Sequence, residues 1–139
     1  MTEPQNPLQT ALTARIVHGA LCAGVILFAI VAHFLMVPKA SASGNLASNT
    51  PIFLALSLAA CVVGIFLSTR VPRPTGGESP DAFWQRAGPP ALRAWAFLEG
   101  ACLLDVVFYS LTGSRTAISV AGVVVLTFVL LNPTYFERR

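Results

Sequence analysis

The sequence predicts an all-α, four-transmembrane-helix bundle. Of its 139 residues, 55% are hydrophobic and only 11% are charged, whereas soluble domains carry about 25% charged residues. The mean hydropathy is +0.69, and four apolar segments approach or exceed the roughly 20 residues that a membrane-spanning helix needs. The segments lack the alternation typical of membrane β-strands. We therefore expect one integral membrane domain, residues 1–139, with the lipid bilayer as its solvent.

Four helices are predicted in order, over residues 12–36, 51–69, 91–112 and 117–131. The first apolar run is longer than the roughly 7–15 residues of a signal-peptide core, so we expect it to be retained despite the cleavage-like "KASAS" that follows. The second begins with Thr-Pro, a cap followed by a first-turn proline. The four-residue link "GSRT" makes the third and fourth helices antiparallel neighbours. Together the four form two antiparallel hairpins.

The longest connection joins the second and third helices. In it, "SPD" is typical of a helix start and "GPP" of a helix stop, which predicts a short interfacial segment over about residues 80–87. An irregular loop with a buried tryptophan is the alternative. In the helical interpretation, three residues anchor the segment among the lipid headgroups and their phosphates: Phe83, Trp84 and Arg86.

Basic residues predict the orientation. With four spans, one side of the membrane holds Lys39 and Arg115, and the other holds Arg15, Arg70, Arg73, Arg86, Arg93, Arg138 and Arg139. The positive-inside rule places both termini in the cytoplasm, and we expect a bacterial inner membrane. The net charge of +3 reflects this topology, and no basic stripe indicates nucleic acid.

The third helix carries two acids, Glu99 and Asp105, each of which costs about 2.5–3.5 kcal/mol at the centre of a membrane helix. At 100° per residue, Tyr109 lies one turn beyond Asp105 and is expected to donate a hydrogen bond to it. His18 of the first helix is expected at the depth of Glu99 and in contact with it. Two arginines are candidate charge partners for this intramembrane polar cluster: Arg15 and Arg93.

Small residues on the same two helices predict close helix packing. The set is Gly19, Ala20, Ala23, Gly24, Gly100 and Ala101. The cysteines Cys22, Cys61 and Cys102 lie on three helices without a Cys-x-x-Cys pair and are interpreted as packing residues. His18 and His33 share one helix about 22 Å apart, which excludes a bis-histidine haem within one chain. No metal ligand set, catalytic motif or cofactor is predicted.

The layout of two hairpins, with "FLEGACLL" in the third helix, resembles the duplicated ring-forming proteolipid subunits of rotary ATPases, in which one carboxylate lies amid small residues. In that family the carboxylate lies on the second helix of a hairpin, whereas Glu99 lies on the first. "HGALCAG" at His18 also aligns with "EGACLLD" at Glu99; duplication and chance both explain this match. Over its whole length the chain resembles small, uncharacterised four-helix bacterial membrane proteins, a likeness of layout that transfers no activity.

Three functions remain open at this point. The first is a non-catalytic subunit or assembly partner in a larger membrane complex, with other membrane subunits or copies of itself as partners. The second is a proton- or cation-handling ring subunit or small transporter that uses Glu99 and Asp105, since intramembrane ionisable residues are functional candidates. The third is a membrane-embedded enzyme acting on a lipid or quinone. Small size and short loops favour the first.

Overall fold

In a computed structural model that describes residues 10–36 and 48–139, the chain is all-helical. The elements are α1 (Ala11–Val31), which continues into a π-helical turn (Ala32–Met36), α2 (Thr50–Thr69), α3 (Pro80–Thr112), α4 (Arg115–Leu130) and α5 (Pro133–Glu137). The predicted spans 12–36, 51–69 and 117–131 agree with α1 and its π turn, α2 and α4. The cleavage-like Ala40 and Ala42 lie outside the described residues.

Helix ends follow from local side-chain chemistry. The hydroxyls of Thr10, Ser79 and Ser114 each accept a hydrogen bond from the backbone three residues later, at the starts of α1, α3 and α4. This contact satisfies one of the free N–H groups of a helix N-terminus. α3 ends where Gly113 adopts a left-handed conformation with φ 69°, a conformation that glycine adopts readily.

Large apolar side chains cover the outside of the helices. Leu27 of α1, Ile52 of α2 and Leu130 of α4 are each at least 60% exposed, which a soluble monomer rarely tolerates over so wide a surface. Within the described residues, three helices are long and apolar enough to cross a membrane: α1 with its π turn, α2 and α3. α4 is apolar but shorter, with 16 residues. The chain is therefore suited to a lipid environment.

α3 is the centre of the bundle, and α1, α2 and α4 all pack against it. His18 of α1 contacts Trp95 and His33 contacts Tyr109, so α1 and α3 run in the same direction. α2 and α4 run oppositely. The predicted first hairpin is correct in direction but is not a packed pair, because α1 makes few contacts with α2 and lies against α3 and α4 instead.

The predicted stop at Gly88-Pro89-Pro90 is wrong. α3 is continuous for 33 residues, or about 50 Å, so residues 80–87 are its first two turns rather than a separate surface helix. The two prolines remove hydrogen bonds to the carbonyls of Gln85 and Arg86, and both residues are exposed, where water can replace the missing donors. Gly88 is buried on the opposite, packed face.

The anchor roles predicted for Phe83 and Trp84 are also wrong. Both are buried, at 2% and 0% exposure, because the first turns of α3 pack against α5. Trp84 donates through Nε1 to Glu137 Oε1 at 2.9 Å, and Glu137 also pairs with Arg15 at 2.9 Å. This cluster joins the starts of α1 and α3 to the C-terminal segment.

Arg86 faces Glu78 in the loop before α3, rather than lying free for lipid phosphates. Its Nη2 and Nε donate to the two carboxylate oxygens of Glu78 at 2.7 and 3.1 Å, and the backbone N–H of Thr75 donates to the same carboxylate. These hydrogen bonds, the one from Arg86 above all, lower the pKa of Glu78 to about 2. The contact fixes the loop onto the exposed side of α3.

Replacing Arg86 should release this loop. In Arg86→Gln the pKa of Glu78 should return toward its ordinary 4.5, as followed by carbon NMR of the carboxyl group. Because the pKa of Glu78 is lower in the folded loop than in the unfolded chain, its ionised carboxylate stabilises the folded loop at pH values above 4.5. That stabilisation disappears as the pH falls from 4.5 toward 2. The Arg73→Gln variant is the control, because the Arg73 side chain forms no hydrogen bond or ion pair with Glu78 in the described part of the chain. An unchanged Glu78 pKa in Arg86→Gln would contradict the assignment.

Gly64 lies where α2 packs tightly against α3. A Cβ atom at this position would lie 2.8 Å from Leu98 Cγ and 3.1 Å from the backbone oxygen of Ala94. Gly64→Ala should therefore lower the free energy of unfolding, measured by denaturant titration in mixed micelles, by about 1–3 kcal/mol. Gly122→Ala is the matched control, since a Cβ atom at that position would meet nothing within 4 Å. Equal stabilities for the two variants would refute this packing.

Candidate functional site

The polar cluster predicted from sequence is divided among three places along α3. His18 lies against Trp95, Asp105 contacts α2 and Tyr109 contacts the π-helical turn after α1. Glu99 lies between them without a hydrogen bond or ion pair to any described residue. The four residues therefore do not form one site.

His18 has a structural role at the end of α4. It is 7% exposed, and its Nε2 donates to the carbonyl oxygen of Phe128 at 3.0 Å. Phe128 lies in the last turn of α4, where carbonyls have no partner within the helix. The rings of Trp95 and Phe128 meet the imidazole edge-on, at centroid distances of 4.9 and 5.0 Å. The predicted His18–Glu99 contact is wrong, because His18 turns to α4.

Glu99 is half-buried on α3, on the side that approaches Cys22 of α1. Neither predicted charge partner reaches it. Arg15 pairs with Glu137 instead, and Arg93 is exposed and forms no ion pair with a described residue. Within the described part of the chain, Glu99 is thus an uncompensated carboxyl group on an apolar helix surface.

Asp105 is buried, at 1% exposure. Ser57 of α2 donates to its Oδ2 at 2.6 Å, while Oδ1 is buried and has no partner among the described residues. Sequence analysis missed Ser57, although a polar residue inside an otherwise apolar helix is a recognisable signal. The predicted hydrogen bond from Tyr109 to Asp105 is wrong, since the Tyr109 hydroxyl bonds His33 in the π-helical turn after α1.

The Tyr109 hydroxyl is hydrogen-bonded to His33 Nδ1 at 2.6 Å, and the two rings are stacked within 10° of parallel. The π-helical turn holds His33 at this position, and such turns occur frequently at functional sites. A cavity of about 400 Å³ lies beside this pair, between α1 and α4, and is almost wholly apolar. Its walls include Ile30, Val106 and Ile118. Its chemistry suits a hydrocarbon chain.

The small residues predicted for packing mostly face outward. Gly19, Ala20, Ala23, Gly24 and Gly100 are exposed, and only Ala101 is buried. A Cβ atom at any of the three glycines would meet nothing within 4 Å. The prediction that these five residues pack against other helices of the chain is therefore wrong. The face of α1 that meets its neighbours is instead the one centred on Ala14, His18 and Val25.

Among the described residues, no three His, Cys, Asp or Glu side chains lie close enough together to bind a metal ion. Cys61 and Cys102 are buried and Cys22 is half-buried, all as free thiols. Comparison of the chain with protein-family models, curated proteins and solved structures found no match.

The Ser57–Asp105 hydrogen bond should be measurable as an energetic coupling. In a double-mutant cycle, Ser57→Ala and Asp105→Leu should be non-additive by about 0.6–1.7 kcal/mol, the range found for hydrogen bonds between membrane helices. Unfolding in mixed micelles provides the free energies. Ser57→Ala with Ser110→Ala is the control, because Ser110 bonds a carbonyl of its own helix; this pair should be additive. Additivity of the first pair would exclude the bond.

Proposed function

We propose that this chain is a small non-catalytic integral membrane subunit or assembly partner, which binds a neighbouring membrane helix through the surface around Glu99. In this proposal it spans a bacterial inner membrane four times, with both termini in the cytoplasm. α4 serves as the fourth span; its 16 residues cover about 24 Å, less than the hydrocarbon core of about 30 Å, and a short span is accommodated by local thinning of the bilayer.

Charges at one end of the bundle support this orientation. Arg15 at the start of α1 pairs with Glu137 near the C-terminus, and Arg139 donates to the carbonyl of Ser68 at the end of α2. The N-terminal end, the central loop and the C-terminus therefore meet at one end of the bundle. Arginine-rich ends face the cytoplasm under the positive-inside rule.

The unpaired carboxyl group of Glu99 is the observation that carries the proposal. An acid near the middle of a membrane helix costs about 2.5–3.5 kcal/mol unless a partner compensates it. His18, Arg15 and Arg93 all fail to reach it within the chain. A polar group supplied by a second protein chain would remove this cost.

The surroundings of Glu99 suit a second helix. Gly100 is the next residue, and on α1, which packs against α3, Gly19 and Ala23 form a small-x-x-x-small pair on the side of Cys22. Exposed glycine and alanine let a partner backbone approach closely, which drives association in lipid. A Cβ atom at Gly19 or Gly100 would meet nothing within 4 Å among the described residues, which supports a partner as the reason for their small size.

A proton- or cation-handling ring subunit is the second candidate, and one observation favours it. The buried Oδ1 atom of Asp105 has no hydrogen-bond partner among the described residues, and such an oxygen offers a place for a proton or a cation.

Gly100→Leu should weaken assembly by about tenfold, or about 1.4 kcal/mol of association free energy, because the larger side chain keeps a partner helix away. Native mass spectrometry after gentle extraction measures the assembled fraction. Gly122→Leu changes another exposed glycine, on α4, and should leave assembly intact. Glu99→Leu should act like Gly100→Leu, whereas Glu99→Gln keeps its hydrogen-bonding capacity and should retain more of the complex.

The same spectra separate the two candidates. Foreign subunits in fixed ratio support the assembly partner, and a closed ring of identical chains supports the ring subunit. A wild-type protein that stays monomeric in native membrane extracts, or equal losses in Gly100→Leu and Gly122→Leu, would contradict a partner surface at Glu99.

A further inference from the structure

Two adjoining cavities lie where α2, α4 and α5 meet, away from Glu99. The first, about 330 Å³, is the more polar, and its walls include Asn132, Thr134, Arg138 and Arg139. The second, about 400 Å³, is mainly apolar and is lined by Ile65, Thr127, Leu130, Leu131 and Tyr135. Leu130 and Tyr135 belong to both. The two cavities therefore form one amphipathic groove.

The polar part of the groove carries net positive charge. Neither Arg138 nor Arg139 forms an ion pair with a described residue, since Glu137, the neighbouring acid, is engaged by Arg15 and Trp84. Arg139 is held in place from two sides. Its Nη1 donates to the carbonyl of Ser68 at 3.1 Å, and its guanidinium lies 5.3 Å from the centre of the Tyr135 ring. An anion can therefore approach two arginines, one of them pre-positioned.

The groove also crosses a boundary in polarity. Leu130 is the last residue of α4, and Asn132 begins the polar C-terminal segment. Tyr135 lies at this boundary, as aromatic residues do at membrane interfaces. The apolar cavity extends along α2 and α4 on one side of it, and the arginines lie on the other. Hydrocarbon and anion sites are thus placed in the order in which a phospholipid presents them.

We propose that this groove binds one anionic phospholipid, with the phosphate at Arg138 and Arg139 and an acyl chain along Ile65 and Thr127. Basic pockets between membrane helices on the cytoplasmic side bind anionic headgroups. The adjoining apolar cavity favours a lipid over free phosphate, because phosphate has no apolar part that could fill this cavity. The proposal is independent of the partner surface at Glu99.

The test uses the full chain in phosphatidylcholine nanodiscs, titrated with phosphatidylglycerol and read by native mass spectrometry. Arg138→Gln with Arg139→Gln should weaken phosphatidylglycerol binding about 25-fold, at about fivefold for each arginine near the surface. Arg73→Gln with Arg93→Gln removes the same charge outside both cavities and should change binding less than about twofold. Equal losses in the two double variants would reduce the site to general surface charge and overturn it.

A second variant tests the acyl-chain half without touching the arginines. Ile65→Trp fills the apolar cavity and should weaken phosphatidylglycerol by several fold. Glycerophosphoglycerol, which has the same phosphodiester headgroup and no acyl chain, should bind at least tenfold more weakly than the lipid. Glycerophosphoglycerol that binds as tightly as phosphatidylglycerol, or an Ile65→Trp variant with unchanged lipid binding, would show a site for the phosphate alone and contradict the proposal.

Discussion

The burial of α3 against three other helices is the constraint on which the structure depends. Leu98, Ala101 and Asp105 face inward along one side of it, and α1, α2 and α4 each pack on that helix more than on one another. In lipid the packing of side chains and the satisfaction of polar groups, rather than exclusion of water, hold helices together. Gly64 shows the first effect, since its missing side chain lets α2 approach Leu98. A helix of 33 residues also extends beyond the hydrocarbon, where Trp84 and α5 complete the bundle.

The same constraint decides where the polar side chains go. Three polar contacts join different helical segments: His18 caps α4, Ser57 contacts Asp105 of α3, and the Tyr109 hydroxyl meets His33. Such contacts fix the rotation of each helix, because apolar side chains alone allow several. Half-buried Glu99 has no such contact with a described residue, and for this reason we propose that a second chain binds at this part of α3.

Hydropathy and capping residues were enough to predict most of the helices. Apolar length located α1, α2 and α4, and Ser79 correctly marked a helix start. The stop at Gly88-Pro89-Pro90 failed because local rules treat proline in isolation, whereas tertiary packing of Gly88 and exposure of the opposite face let the helix continue. The predictions of polar contacts were wrong for another reason. Helical spacing gives the face of a residue within one helix, but it does not give the rotation or the neighbours of that helix, so His18 was paired with Glu99 and Tyr109 with Asp105.

Oxygen accessibility of nitroxide labels along α3 in lipid bilayers tests the central claim most directly. Single cysteines at positions 91–111, in a chain whose three native cysteines are replaced by alanine, report which face meets the acyl chains. The account predicts a helical period of about 3.6 residues, with maxima near Phe97, Val107 and Leu111 and minima near Leu98 and Asp105. Maxima at Leu98 and Asp105, or accessibility without a period, would contradict it.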